Sequence, residues 1–566
     1  MSISPYRFKQ LIAFQKEHYA LVEAPDYDLL YQISEFSNRW KLDFRVQEMV
    51  ISGSSIVLLP SQTFCKKYQL FSDGQLSPSK SMDKSFLLGD GYIIQRSSVG
   101  GDYVISDKPI EYVREFGLDD HSATVLPSTI KLFEVVMLRD DIILASTACG
   151  IWETSLKAYR KVGCRDWEEI LFPSSLSCKN HYIRWLDDGH VLVASDKQGQ
   201  YQRLFSWNVL SNSVKPVDSI SRDQFLFMDS QFMVSNHHGH CEVVTSDATY
   251  KTGYCRDFCR SDNRLTLMAD YPATSQRLWT IDLSESSKTE SKICEDPKSL
   301  TVNGSGELVI SEKYAFSFTE EKLEKGSMLR FTPTTQALGT VVFVHGGPGL
   351  CEGSRMRENI VELVNNGFEV ISFDATGSAG FGRKFRNRLN RKHGSLDLFE
   401  LELILRRKIN HFPIFLYGES YGGYLVLKAG IEYPHLIEGI INYYGVTDWW
   451  DAMLDFENLS GPLKSRMHKN FGNPNTDKGR VYLKNISILP EADKLTLPIF
   501  TIHGSEDKSV PLSHSQKLYK TMLKAHSLSR LLVMHGEGHE IRQYTNRKKA
   551  IEEVLSFLKQ CLNCNN

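Results

Sequence analysis

One short stretch restricts this chain more than any other. Gly418-Glu419-Ser420-Tyr421-Gly422 stands between an apolar run, Ile414–Tyr417, and a helix-patterned run, Tyr424–Tyr433. A serine in G-x-S-x-G at a strand-to-helix junction needs a turn so tight that small residues must flank it, and the turn lifts the hydroxyl above the sheet edge. The next amide, that of Tyr421, lies at the positive end of the following helix, where it can face an oxyanion. A glycine-rich turn that only packs a helix on a strand is the competing reading. The strand–turn–helix context argues against it.

Three further motifs each follow a separate buried-type strand. His345-Gly346-Gly347-Pro348-Gly349 follows Val341–Val344, and a loop of this composition supplies a second oxyanion donor, assigned here to the Gly347 amide; a plain Gly-Pro turn is the alternative. His503-Gly504-Ser505-Glu506-Asp507 follows Pro498–Ile502 and offers Asp507 as orienting acid, with Glu506 as competitor. His535-Gly536-Glu537-Gly538-His539 follows Leu531–Met534 and offers His539 as base, with His535 as rival. The order Ser420, Asp507, His539, at spacings of 87 and 32 residues, leaves room for intervening strands and helices. With Glu369–Phe373 and Gly439–Asn442, these near-continuous apolar strands alternate with helical stretches. That pattern predicts an α/β-hydrolase domain, a parallel-rich sheet with helices on both faces. Such sheets carry their sites beyond the carboxyl ends of the strands, where all four motifs fall. In this reading His539 takes the Ser420 proton, Asp507 fixes the imidazole, and the Tyr421 and Gly347 amides hold the oxyanion. No metal and no cofactor is called for.

The region before about residue 319 follows another grammar. Val191–Ser195 and Arg203–Val209, like Leu265–Asp270 and Arg277–Leu283, read as hairpins, a strand, a polar turn and a strand of alternating large apolar residues. Similar strands recur near Trp40, Tyr103, Trp152 and Val243, and the steps Trp152–Phe205–Val243–Trp279 measure 53, 38 and 36 residues. A loose period of this size, with about four strands per unit, points to a β-propeller, an irregular sandwich of hairpins being the alternative.

At 566 residues two or three domains are expected, and 41% hydrophobic with 24% charged residues is the balance of a soluble globular protein. A net charge of −2 argues against nucleic acid or an anionic membrane as main partner. No apolar stretch approaches the roughly 18 residues that span a bilayer. Met1–Ala20 lacks the apolar core of a secretory signal. Eleven cysteines without a framework suit reduced thiols, so a cytoplasmic location is expected.

Taken together the motifs resemble the prolyl oligopeptidase family, in particular its acylaminoacyl-peptidase and dipeptidyl-peptidase-like branches. The resemblance rests on His345-Gly-Gly-Pro348, Asp374 with Gly377-Ser378-Ala-Gly-Phe-Gly382, Gly418-x-Ser420-Tyr-Gly-Gly-Tyr424, Val446-Thr-Asp-Trp449, His503-Gly-x-x-Asp507-x-x-Val-Pro511 and Glu537-Gly-His539, over about 340–540. It implies three parts: an N-terminal segment, 1–25, whose Ser4–Ala20 packs as a helix on the catalytic domain; a propeller of about seven blades, 26–318; and a catalytic domain, 319–566. Two positions depart from the family pattern. Asp374-Ala375-Thr376-Gly377-Ser378 stands where relatives carry Asp-x-Arg-Gly-Ser, and only 23 residues separate Asp397 from Ser420.

The function expected is hydrolysis of short peptides, since a propeller cap excludes folded proteins. An esterase or small-acyl hydrolase with the same triad, and a catalytically silent propeller binding protein, are the alternatives. Trp449 and Trp450 are candidates for an apolar specificity pocket, with core packing as the other reading. His237, His238, His240, Cys241, Cys255 and Cys259 have metal-ligand chemistry but no paired C-x-x-C frame, and are assigned to loops instead. The basic run Arg383–Arg391 is read as a solvated helix face. The partner expected is a short peptide or acyl substrate, with room for a homo-oligomer.

Overall fold

Strands with apolar residues on alternate positions make up the N-terminal region, and they pair with their sequence neighbours. The computed structural model describes residues 316–564 except 324–325, 353–356, 409–411, 457–460 and 524, and between residues 7 and 310 the strands and many of the turns. Among the described residues of that region, seven antiparallel sheets follow one another along the chain, over 7–42, 46–78, 86–125, 135–171, 180–216, 224–252 and 254–310. Six have four strands and the last has five, each strand pairing the next in sequence. Of the strands anticipated from sequence, the one around Trp152 lies outside the described residues, as does His238.

The cores lie between successive sheets. Leu21, Leu30 and Leu42 of the first sheet pack with Val46, Met49 and Leu58 of the second. On the opposite face, Ala20, Val22, Leu29 and Tyr31 pack with Cys259, Met268 and Leu278 of the last sheet. First and last sheets are also joined by Leu11 N donating to Asp257 Oδ2 (2.8 Å) and by His18 Nδ1 against Thr266 Oγ1 (2.7 Å).

This packing corrects the expected N-terminal helix. Arg7–Phe14 and Glu17–Glu23 are strands of the first sheet, with Ala20 paired to Leu11. Neighbours Ala20, Leu21 and Val22 are all fully buried, alternately against the last and the second sheet. Burial on two opposite faces at period two is what a strand between two layers achieves and a surface helix does not.

From Ser317 the chain builds one eight-stranded sheet. In spatial order its strands are Ser317–Lys322, Ser327–Thr332, Phe368–Phe373, Gly339–Val344, Ile414–Glu419, Gly439–Tyr443, Ile499–Gly504 and Arg530–Met534. The first two pair antiparallel and the rest run parallel. The five strands from Phe368–Phe373 to Ile499–Gly504 in that order are buried along their whole length apart from Glu419, because helices cover both faces. One face packs on Tyr421–Glu432 and its neighbours through Val342, Leu416 and Ile440; the other packs on Glu358–Asn365 and Tyr544–Cys564 through Val341, Phe415 and Ile441. No helix among the described residues is long and apolar enough to cross a membrane.

The two regions meet close to the catalytic sheet. Arg383 N donates to Gln200 O (2.8 Å), Lys384 N donates to Gln200 Oε1 (2.7 Å), and Arg386 Nη2 lies 3.5 Å from Asp196 Oδ2. The basic run is therefore not a solvated face throughout: its Arg386 is largely buried against the β region.

Candidate active site

The turn at Ser420 has the backbone that its sequence demands. Ser420 sits at φ +54°, ψ −114°, a region that L-residues rarely occupy, immediately before the helix Tyr421–Glu432. Its N–H donates to Tyr443 O (2.9 Å), and its carbonyl accepts from Tyr424 N (3.1 Å). The glycines on either side have no alternative. A Cβ at Gly418 would lie 2.2 Å from Gly422 O, and one at Gly422 would lie 2.1 Å from Val344 O.

The candidate base and acid come from the ends of other strands. His539 Nε2 lies 3.0 Å from Ser420 Oγ, and His539 Nδ1 lies 2.7 Å from Asp507 Oδ2. The Asp507 carboxylate accepts nothing else through Oδ1 but two amides of its own loop, Ser509 N (2.8 Å) and Val510 N (2.9 Å). Burial alone would push Asp507 up. Hydrogen bonds from His503, His539 and Val510 overcome that and hold the carboxyl well below the usual carboxylate range. The two rivals resolve by position, since Glu506 and His535 are exposed while Asp507 is buried. The loop carrying His539 is fixed by Glu537, a buried carboxylate that accepts from Arg542 N (2.9 Å), Gln543 N (3.0 Å) and Asn546 Nδ2 (2.7 Å).

The His345–Gly349 loop lies against the elbow. A Cβ on Gly346 would stand 3.3 Å from both Glu419 O and Ser420 Cβ, and Gly347 is in the left-handed region at φ +126°. His345 holds the loop from beneath, with Nδ1 donating to Gly346 O (2.7 Å) and Nε2 near Ser378 Oγ (3.0 Å) and Asp374 Oδ1 (3.4 Å). Burial opposes charge on this imidazole, but Asp374 outweighs it and raises the pKa.

Trp449 is 4% exposed and stacks on Phe471 (4.7 Å), within a cluster that includes His393, Tyr421 and Tyr424. Its placement is that of core behind the elbow. Trp450 is half-buried, with the Lys484 ammonium 4.8 Å above its ring. Of the metal-type residues, Cys241, Cys255 and Cys259 are buried between sheets, His237 pairs with Asp223 (3.2 Å) and His240 with Glu320 (3.1 Å).

Three residues at this site carry roles that motif reading did not assign. Asp397 accepts the Tyr421 hydroxyl (2.5 Å) as well as Ser395 N and Leu398 N, tying the residue after the nucleophile to the helix Leu396–Lys408. Tyr444, itself at φ +41°, lays its ring 4.5 Å from that of His539. His503, met above only as a spacing marker, touches Asp507. The one sequence signal for it is the four-residue interval to Asp507.

Comparison with known proteins finds a family match over the C-terminal region. The profile of the prolyl oligopeptidase family matches residues 354–565, a span that holds Ser420, Asp507 and His539. Dipeptidyl peptidase family member 6 of Caenorhabditis elegans is 28% identical over 228 residues, 39% of this chain and 31% of that protein. Dipeptidyl aminopeptidase BIII of Pseudoxanthomonas mexicana is 26% identical over 227 residues, 39% of this chain and 33% of that protein. The matched stretch thus spans about a third of these relatives' length. Solved structures match nearly end to end. A puromycin-hydrolyzing peptidase of Mycobacterium tuberculosis superposes with a TM-score of 0.72 at 15% identity, over 98% of this chain and 94% of that one. The acylaminoacyl peptidase of Pyrococcus horikoshii gives 0.69 at 14% identity, over 98% and 95%. At such identities the likeness is one of fold, an α/β-hydrolase domain preceded by a β domain.

Proposed function

We propose, from the premise that this chain belongs to the prolyl oligopeptidase family through residues 354–565, that it is a serine peptidase cleaving short peptides. One observation carries the proposal. Ser420, His539 and Asp507, from three different strand ends, form an unbroken hydrogen-bonded series with separations of 3.0 and 2.7 Å. In the mechanism proposed, His539 Nε2 takes the Ser420 proton as Oγ attacks the peptide carbonyl. The resulting imidazolium is balanced by Asp507, which stays ionised. The proton then passes to the leaving amine, and water, activated by the same imidazole, releases the acyl group. The Tyr421 amide, at a helix N-terminus, and the Gly347 amide are the proposed oxyanion donors.

The size limit on substrate follows from the β region. Its seven sheets succeed one another in chain order and the first packs on the last, which supports a closed seven-bladed propeller. Contacts from Asp196 and Gln200 to Lys384 and Arg386, on the segment after the strand Phe368–Phe373, support a β region that limits access to extended peptides.

Labelling with a fluorophosphonate, followed by turnover of aminoacyl, acyl-aminoacyl and dipeptidyl p-nitroanilides with simple esters as controls, tests the reading. Ser420→Ala should abolish labelling and lower turnover by on the order of 10⁶-fold, as in the subtilisin series. Equal labelling of wild type and Ser420→Ala would sink the proposal, and turnover of esters without any peptide would replace it with an esterase.

A further inference from the structure

A second imidazole lies against Asp507. His503 Nε2 lies 3.2 Å from Asp507 Oδ2 and 2.8 Å from Val510 O, and His503 Nδ1 lies 2.6 Å from Ser515 Oγ. A carbonyl only accepts, so Nε2 carries a proton, which it donates to Val510 O, with Asp507 Oδ2 at 3.2 Å beside that N–H. In the neutral imidazole Nδ1 then accepts from the Ser515 hydroxyl. Five side chains thus neighbour one another in turn, Ser515, His503, Asp507, His539 and Ser420, starting from a buried serine.

The two ends of the His503–Asp507 contact differ in rigidity. His503 is fully buried in the strand Ile499–Gly504, and Ser515 is fully buried in the helix Ser513–Met522. Asp507 lies on the loop between them. Its Oδ1 is held by two amides of its own loop, which move with it. Its Oδ2 faces two imidazoles, and only His503 belongs to the sheet. Without that donor, Oδ2 would answer to His539 alone, and the acid meant to orient the base would be oriented by it.

We propose that His503, backed by Ser515, is a positioning residue for the triad acid: it pins Asp507 Oδ2 to the sheet and so sets the angle at which His539 meets Ser420. This rests on the peptidase reading above. The effect on chemistry has a definite sign. The His503 N–H draws electron density from Oδ2. Removing it leaves more charge facing His539 Nδ1–H, which stabilises the imidazolium and moves the onset of base activity to higher pH. Other groups face His539 too, the Tyr444 ring and the Asp507 carboxylate, and neither residue is substituted in the variants below.

The test uses the full chain and the pH dependence of the second-order rate of fluorophosphonate labelling. His503→Leu should label on the order of 10²-fold more slowly, the loss that a displacement of about 1 Å in a reacting constellation carries. Its acid limb should move up in pH. His503→Gln, which keeps an N–H at about the Nε2 position, should recover most of the rate and return the limb toward wild type. Ser515→Ala should fall between the two. Where His503→Leu fails to fold, the comparison of His503→Gln with Ser515→Ala decides. Wild-type labelling in His503→Leu, or a slowing equal in the Leu and Gln variants with the acid limb unmoved, overturns the proposal. An unlabelled wild type would instead remove the peptidase reading on which it rests.

Discussion

Replacing Gly422 with alanine is the sharpest test of the elbow. The added Cβ would meet Val344 O at 2.1 Å, and His345 O and Val344 C at 2.7 Å. All three are backbone atoms, so no side chain can swing away. An ordinary carbon–oxygen contact requires the helix start and the strand end to part by about 1 Å. Val344 pairs with Gly418 in the sheet and directly precedes the His345–Gly349 loop. The strain therefore falls between Ser420 and the His345–Gly349 loop. Overpacking of this kind costs about 1–3 kcal/mol, and a 1 Å misplacement lowers the chemical step by on the order of 10²-fold. Urea unfolding reads the first quantity and fluorophosphonate labelling the second. Gly538→Ala is the control, because nothing lies within 4 Å of its added Cβ and its φ is not in the left-handed region; its unfolding midpoint should stay at or slightly above wild type. A Gly422→Ala variant with wild-type midpoint and labelling rate would refute the elbow geometry.

Two further outcomes follow from buried charge. Burial pushes Asp397 up to about 6 against the pull of the Tyr421 hydroxyl and two amides. The folded carboxyl then binds its proton more tightly than the unfolded one, so stability falls as pH rises from about 4 to about 6. Asp397→Asn should flatten that limb in urea midpoints measured against pH, and an unchanged limb counts against the assignment. Arg386→Met leaves Asp196 buried beside the interface without its guanidinium, at a cost on the order of 3 kcal/mol. Calorimetry should show the transitions of the two regions drawing apart, and one unshifted transition would show that this pair does not couple them.

How far the sequence alone reached depends on how local each determinant is. The turn at Ser420 is announced by the glycines two positions to either side, Gly418 closing on Gly422 O within the turn and Gly422 on Val344 O of the neighbouring strand. The parallel strands are announced by runs such as Val341–Val344, which are apolar because both faces are covered. Asp507 and His539 could be proposed because each follows such a strand. Glu506 and His535 stayed in contention until burial separated them, which is a tertiary property. The first two strands were lost to a helical expectation because their two-sided burial depends on the last sheet, more than 200 residues away, where Asp257 receives Leu11 N. His503 escaped notice for the opposite reason. A histidine in a strand has the bland role of core packing unless a partner loop folds back onto it, and Asp507 does so within four residues.

The missing arginine shows how the site tolerates change behind it. Where the family pattern leads one to expect a guanidinium, Thr376 donates both its N–H and its hydroxyl to Glu400, each at 2.6 Å. Glu400 lies on the helix Leu396–Lys408, so the loop is still tied to that helix, now through two short neutral-donor hydrogen bonds. Asp374 keeps its own anchors, Ser327 Oγ (3.0 Å) and Glu352 N (2.7 Å). The shortened approach to Ser420 falls in the same place. The helix runs to Lys408 and the strand begins at Ile414, so the stretch between Asp397 and Ser420 is almost wholly this helix and this strand. Both departures therefore sit at the rear of the elbow, where Asp397 and Glu400 face Tyr421 and Thr376. Ser420, His539 and Asp507 take their positions from other strand ends, so a chain can alter this helix without disturbing the geometry on which the proposed chemistry depends.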